Sequence, residues 1–354
     1  VPRDARTRIV FNALPLRPQT GGVGTYIREL LRELPSATSA TLVAAVEAGA
    51  VGEVPPGVTP APQPERSGIR RAVAGARGFG PCDLVHGLDV DLPLLRRTSQ
   101  GPSVATVHDL SIFDVAWAFP RHRVIGERAI VRASLRRADT VIAVSDFTAE
   151  RLHALIGRDA VVVREAPGSD MAPSSAAAVE AVRTKYQLPE RFVLHVGNIE
   201  PRKDIDTLVR ACQGADVPLL LTGRPLWGTP TPPQGAAALG YVPAEDLPAL
   251  YGAATLVGYA SVYEGFGLPP VEAMACGAAV VTTRVPAVVE VVGDAAATFR
   301  PGDVNGLTRL VRELLADDDR RAQLARDGRR AVRTLSWARA AHETVSVYRS
   351  LGVG

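Results

Sequence analysis

A chain of 354 residues is longer than one hydrophobic core usually organises, so two domains are expected. Its 46% hydrophobic and 22% charged residues are those of a globular protein, and a net charge of +3 excludes any general attraction for nucleic acid. No apolar run reaches about 18 residues and no apolar leader opens the chain, so neither a membrane-spanning helix nor a signal peptide is expected.

Short apolar runs alternate with helix-like segments throughout, the pattern of parallel α/β architecture. In the first half Arg8–Ala13, Thr41–Val46, Leu84–His86, Ser103–His108, Thr140–Ser145 and Ala160–Val163 read as strands, with helices at Thr25–Leu34, Arg123–Arg137 and Asp146–Leu155. A Pro/Gly/Ser-rich stretch from Glu165 to Ser175 then suits a linker. Beyond it the pattern restarts. Strands are expected at Phe192–Val196, Leu219–Thr222, Ala237–Leu239, Leu256–Ala260, Ala279–Thr282 and Ala296–Phe299. Helices are expected at Asp204–Gln213, Ala244–Gly252, Val271–Cys276, Val304–Ala316 and Asp318–Arg333. The domains are therefore drawn as 1–168 and 169–335, with a final helix in 336–354 packing back on the first. Two such sheets facing each other would bring the carboxyl ends of both strand sets to one cleft.

Charge is unevenly written. Residues 1–170 carry 21 Arg against 18 Asp+Glu, whereas 171–354 balance 19 basic with 19 acidic residues. Of the 40 basic residues two are lysines, Lys185 and Lys203, which raises the question whether a compact point charge was needed at each. Cys82, Cys212 and Cys276 are odd in number and far apart, as incidental thiols of a reducing cytoplasm would be.

Two segments carry chemistry. After the strand ending near Ser261, Glu264-Gly-Phe-Gly-Leu-Pro-Pro makes a tight turn into a helix opening at about Pro270. Gly265 and Gly267 let the backbone approach a ligand, and the free amides of a helix start favour phosphate. Glu264 and Glu272, the latter in the first helical turn, suit sugar and ribose hydroxyls. A plainer reading makes Glu272 a partner of the helix dipole and Glu264 a solvated loop residue. The second segment, Val196-Gly-Asn-Ile-Glu-Pro-Arg-Lys-Asp, sets Arg202 and Lys203 at a strand's carboxyl end. A cationic pair there would stabilise a departing diphosphate. Asp204 reads as the cap of the next helix.

Residues 193–302 resemble the donor domain of the family-4 retaining glycosyltransferases, which have the GT-B fold of two facing Rossmann-like domains with an interdomain cleft. Glu264-x7-Glu272, Arg202-Lys203, Leu239-Gly-Tyr-Val and Glu290-Val-Val-Gly-Asp-Ala-Ala match in order and spacing. The first half matches more loosely, through Gly21-Gly-Val-Gly, Thr106-Val-His108-Asp109 and Val144-Ser-Asp-Phe-Thr. The resemblance implies that Glu264 contacts donor-sugar hydroxyls, Glu272 the ribose, and Arg202 with Lys203 the diphosphate. Gly265, Phe266, Gly267 and Leu268 would line sugar and phosphate, and Tyr241 and Val242 would face the base. His108 would approach the sugar from the other domain, while Gly22 and Gly24 close on the phosphates. Asn198 stands where many relatives have arginine, which leaves more of the diphosphate's charge to Arg202 and Lys203.

The expected activity is transfer of a hexose, without metal or other cofactor, from a nucleotide-diphosphate sugar to a glycan, lipid-linked or small-molecule hydroxyl. GDP-mannose is the favoured donor. Another GT-B enzyme, an epimerase or a phosphorylase, and a non-catalytic nucleotide-sugar binder stay open as alternatives. His108 also reads as a satisfied structural histidine, and Asp109 as a nearby candidate base. Asp89-Val-Asp91 and Asp204-Ile-Asp206 resemble metal-binding pairs but lack supporting ligands. Arg128, Arg132 and Arg136 put cations on one face of a helix, a solvated face or one for anionic headgroups. A cytoplasmic protein is expected, with peripheral contact to the inner membrane face through the Arg121–Arg137 region as a further option.

Overall fold

The computed structural model describes residues 7–18, 21–65, 80–90, 92, 101–226 and 233–353. Its strands are β1 (Arg8–Asn12), β2 (Thr41–Glu47), β3 (Thr59–Gln63), β4 (Leu84–Gly87), β5 (Ser103–Val107), β6 (Thr140–Ala143), β7 (Val161–Val162), β8 (Val193–Val196), β9 (Leu219–Thr222), β10 (Ala237–Gly240), β11 (Leu256–Tyr259), β12 (Val280–Thr283) and β13 (Ala297–Phe299). The longer helices are α1 (Gly22–Ala37), α2 (Arg121–Arg137), α3 (Asp146–Ile156), α4 (Ala176–Tyr186), α5 (Ile205–Gly214), α6 (Leu247–Ala253), α7 (Leu268–Ala275), α8 (Pro286–Val292), α9 (Val304–Ala316), α10 (Asp318–Val332) and α11 (Trp337–Ser350).

The chain divides into two compact units. The first comprises Val1–Phe113, Arg121–Glu165 and Ser336–Gly354; the second comprises Asp114–Pro120 and Ala166–Leu335.

The first unit holds a seven-stranded sheet in the order β3-β2-β1-β4-β5-β6-β7, all pairs parallel. Central strands such as β5 are buried at every residue, because helices cover both faces of a parallel sheet and both sets of side chains must be apolar or paired. β3 was not legible in the sequence, since Thr59-Pro-Ala-Pro-Gln reads as a breaker. It is the sheet's edge, where a proline's missing N–H need leave no ladder bond unmade. α11 buries Trp337, Ala340, Ala341, Thr344, Val345 and Tyr348, a 3–4 spacing that makes one apolar stripe, and packs along α1.

The second unit repeats the plan as β10-β9-β8-β11-β12-β13, again parallel throughout. Ile205, Leu208, Val209 and Cys212 of α5 join Leu307, Val311 and Leu314 of α9 in its core. α4 occupies residues the sequence offered no helix for; Ser175 caps it by accepting from the Ala178 amide. α8, too, was not among the expected helices, though its last residues lie in the quoted Glu290-Val-Val-Gly motif.

In both units the order of strands reverses beside the first one, between β1 and β4 and between β8 and β11. At such a switch point the loops leaving neighbouring carboxyl ends diverge to opposite faces and leave a crevice for a ligand.

Candidate active site

In the second unit the switch point is flanked by the loops after β8 and β11, and these are the two segments singled out in the sequence. Beyond β8 the chain turns through Gly197, at a φ of 145°. Gly223, after β9, lies so close that a Cβ built on it would fall 2.0 Å from the Gly197 carbonyl oxygen, so the site's floor needs bare backbone there. Ile199 bridges to Pro225, and half-buried Asn198 sits between these turns. Pro201–Lys203 then make one 3₁₀ turn, and Asp204, in the left-handed region at a φ of 46°, caps α5 through the Thr207 amide, as the sequence predicts.

The loop after β11 is tied to this turn by a backbone bond from Val262 N–H to the Arg202 carbonyl, 2.8 Å. Arg202 donates from Nη1 to the Tyr263 carbonyl at 3.0 Å and to Glu264 Oε2 at 3.1 Å. Its other arm meets Glu200 at 2.8 Å. Lys203 Nζ reaches Glu264 Oε1 at 2.5 Å. Glu264 is thus held by both cations. Burial alone would push its carboxyl up, but Lys203 and Arg202 outweigh that and hold it down at about 2. The side chains are 15%, 9% and 12% exposed for Arg202, Lys203 and Glu264, so the group is shielded yet reachable. The two cations and the two carboxylates sum to zero formal charge. Lys185, the other lysine, pairs on the surface with Asp246.

Gly265, Phe266 and Leu268 are buried, and Gly267 caps α7 at a φ of 95° without any side-chain bond. α7 starts at Leu268 and not at Pro270, so Glu272 lies in its second turn, a correction to the first-turn placement. The left-handed cap is what lets the helix begin two residues early. Glu272 is buried, near enough to the phenols of Tyr251 and Tyr259 for its charge to help hold both of them, chiefly by burial, protonated. Tyr241 is 54% exposed and Val242 buried, both past the end of β10, two strands from β8.

Glu200 and His195 were missed by sequence reasoning. Glu200 lay inside the quoted motif, but nothing in its spacing says that a buried carboxylate clamps Arg202. His195 stands on β8; burial lowers it to about 4, so the ring is neutral, with Nδ1 donating to the Gly258 carbonyl at 3.1 Å.

In the first unit Gly21 caps α1, Gly22 is exposed and Gly24 buried. His108 follows β5 with both ring nitrogens engaged, Nδ1 with Glu165 Oε1 at 3.0 Å and Nε2 with the Leu88 carbonyl at 2.9 Å. The Tyr26 ring of α1 meets His108 edge-on at 4.5 Å, which sets the glycine turn's helix against the histidine. Asp109 is occupied locally, accepting from the Ser111 amide and hydroxyl. Glu165, taken in the sequence for the start of a linker, is 5% exposed and belongs to the first unit. Asp91 lies outside the described residues. Of the arginine stripe, Arg128 donates to the carbonyls of Ile112 and Phe113, and Arg132 stacks over the Phe113 ring at 4.9 Å. Those two cations are spent on the protein itself. Among the described residues no helix is long and apolar enough to cross a membrane.

A doubly repeated Rossmann-type strand order is that of the GT-B fold, and here an ion-paired cluster lies at the second switch point. Sucrose-phosphate synthase from Thermosynechococcus elongatus has the same fold, with a TM-score of 0.79 and 24% identity over 98% of this chain and 99% of that one. So does HepE of Anabaena, solved in complex with UDP-glucose, at a TM-score of 0.74 and 18% identity over 97% and 99% of the two chains. The profile described as Glycosyltransferase Family 4 matches residues 20–165, and that described as Glycosyl transferases group 1 matches residues 233–331. O-antigen chain mannosyltransferase B of Escherichia coli is 36% identical over 268 residues, 70% of each chain. The chain belongs to glycosyltransferase family 4.

Proposed function

We propose that this glycosyltransferase moves a hexose from a nucleotide-diphosphate sugar to a hydroxyl acceptor with retention at the anomeric carbon, without a metal ion. The observation that carries the reading is the ion-paired cluster Arg202–Lys203–Glu264 at the second unit's switch point. Guanidinium and ammonium supply the charge that a divalent ion would otherwise bring to a diphosphate, and they do so most strongly as the glycosidic bond breaks. Glu264, ionised at any physiological pH, accepts from sugar hydroxyls once its partners turn to phosphate. Pro269 and Pro270 leave the first turn of α7 with few N–H groups, so the backbone donors for sugar and phosphate would be the amides of the turn that precedes them.

Retention is supported by what the carboxylates do. An inverting route needs a general base beside the acceptor hydroxyl. Asp109, the candidate from the sequence, is turned toward Ser111 by the two bonds its Oδ1 accepts, and both ring nitrogens of His108 are engaged. In a front-face route the glycosidic C–O bond breaks, the acceptor oxygen bonds the same face of the anomeric carbon, and its proton passes to the leaving phosphate oxygen. No protein base takes part.

Mannose is the favoured sugar because the Escherichia coli relative is a mannosyltransferase, and GDP-mannose is its favoured carrier. The acceptor is a glycan, lipid-linked or small-molecule hydroxyl. Thermal shift against GDP-, UDP- and dTDP-sugars selects the donor, since a ligand of the native state raises the melting temperature. With that donor, NMR of the product's anomeric proton should show an α linkage from an α donor, at an unchanged rate in EDTA. A β linkage would sink retention, and loss of turnover in EDTA would sink metal independence.

A further inference from the structure

We propose that Glu165 is a positioning residue that keeps His108 a fixed, doubly protonated imidazolium, so that the histidine serves transfer as a cation and not as a base. The inference rests on the reading of His108 as part of the transferase site.

Three strand ends converge on this ring. His108 follows β5, Leu88 follows β4, and Glu165 arrives three residues after β7. Both of its partners, an ionised carboxylate and a backbone carbonyl, can only accept. A neutral imidazole carries one N–H and one lone pair, so one of the two short contacts, 3.0 or 2.9 Å, would set lone pair against lone pair. The ion pair is shielded, with side chains 13% and 6% exposed for His108 and Glu165. Unopposed burial would drive the imidazole down; the hydrogen bond and charge of Glu165, helped by Asp89 and the Leu88 carbonyl, lift it to about 9.

The other titratable groups facing the ring do not compete for its proton. His86 on β4 is buried between the Tyr348 and Thr106 hydroxyls, and burial with His108's charge lowers it to about 3, so it stays neutral. Tyr26 on α1 is pushed well above its ordinary value by burial and stays a phenol hydrogen-bonded to Thr106. Asp89, after β4, adds negative charge that acts on the ring in the same direction as Glu165. Glu165 is therefore the group whose removal changes the ring's charge while leaving its shape.

Long-range ¹H–¹⁵N spectra of the intact chain, with His108→Ala assigning the resonance, test this directly. The wild-type ring should keep both nitrogens protonated to about pH 8, and Glu165→Gln should release a proton below the ordinary value of about 6.5. In donor hydrolysis, read as GDP released from GDP-mannose, Glu165→Gln should lose about 30-fold or more at about pH 8 and regain most of it by about pH 5.5, as the cationic fraction predicts. Glu165→Asp, which restores the charge, should move the profile back toward wild type. A wild-type His108 that is neutral at about pH 7, a titration unchanged by Glu165→Gln, or an equal activity loss at both pH values would overturn the proposal. His108→Ala as active as wild type would instead sink the reading of the site on which it rests.

Discussion

In the first unit the charge beside the switch point is one imidazolium with its own carboxylate; in the second it is a guanidinium and an ammonium that share Glu264, with Glu200 behind them. The strand order is the same over six strands, with β7 added in the first unit, and in both the loops singled out lie at carboxyl ends. The difference lies in what a ligand must rearrange. His108 keeps both ring nitrogens bonded within its own unit, so it would offer a ligand its charge and would not have to leave Glu165. Arg202 and Lys203 have their charge already lent to Glu264, so an arriving diphosphate has to compete with that carboxylate. A common topology sets where a site lies, and a few loop residues set whether its charge is held ready or exchanged.

The largest effect should come from breaking the exchanged cluster. Lys203→Ala should cost roughly 2–4 kcal/mol of transition-state stabilisation, about 30-fold to 10³-fold in kcat/KM. A change under about twofold would make Lys203 a partner of Glu264 and nothing more.

The two ion pairs should next separate in the pH dependence of stability. Glu264 is depressed from 4.5 to about 2 in the fold, so its contribution is present above the unfolded value and lost as pH falls toward 2. His108 is raised from 6.5 to about 9, so its contribution is complete below the unfolded value and lost as pH rises through 9. Melting curves should therefore show Glu264→Gln flattening the acid limb and Glu165→Gln the alkaline limb. If either substitution acts equally on both limbs, the two pairs are not independent.

The smallest effects concern the backbone. Gly223→Ala would set a Cβ against the Gly197 carbonyl at a φ of 139° and should destabilise by about 1–3 kcal/mol. Gly126→Ala, in exposed α2 with open space around its Cβ, should stabilise by about 0.5–1 kcal/mol. A Gly223→Ala variant as stable as wild type in denaturant melts would mean that the second site's floor does not depend on bare backbone.

By itself the sequence determined the parallel α/β architecture, the two-unit plan and the motif that holds Arg202, Lys203 and Glu264. Those features depend on local patterns: apolar runs at strand spacing, glycines at turns, and rare residue types such as lysine in an arginine-rich chain. The sequence also carried Asp204 as a cap, because capping needs a donor only three residues away. Only the tertiary structure decided which charges meet. Glu165 and His108 are separated by 57 residues, and Arg202 and Glu264 by 62, and no short-range pattern encodes such a pairing. It decided as well that Thr59-Pro-Ala-Pro-Gln is a strand, since an edge position tolerates proline where a central one does not. Glu165 reads as linker in one dimension because its neighbours are Pro, Gly and Ser; the sheet buries it against an imidazole, and that contact gives it a charge to hold.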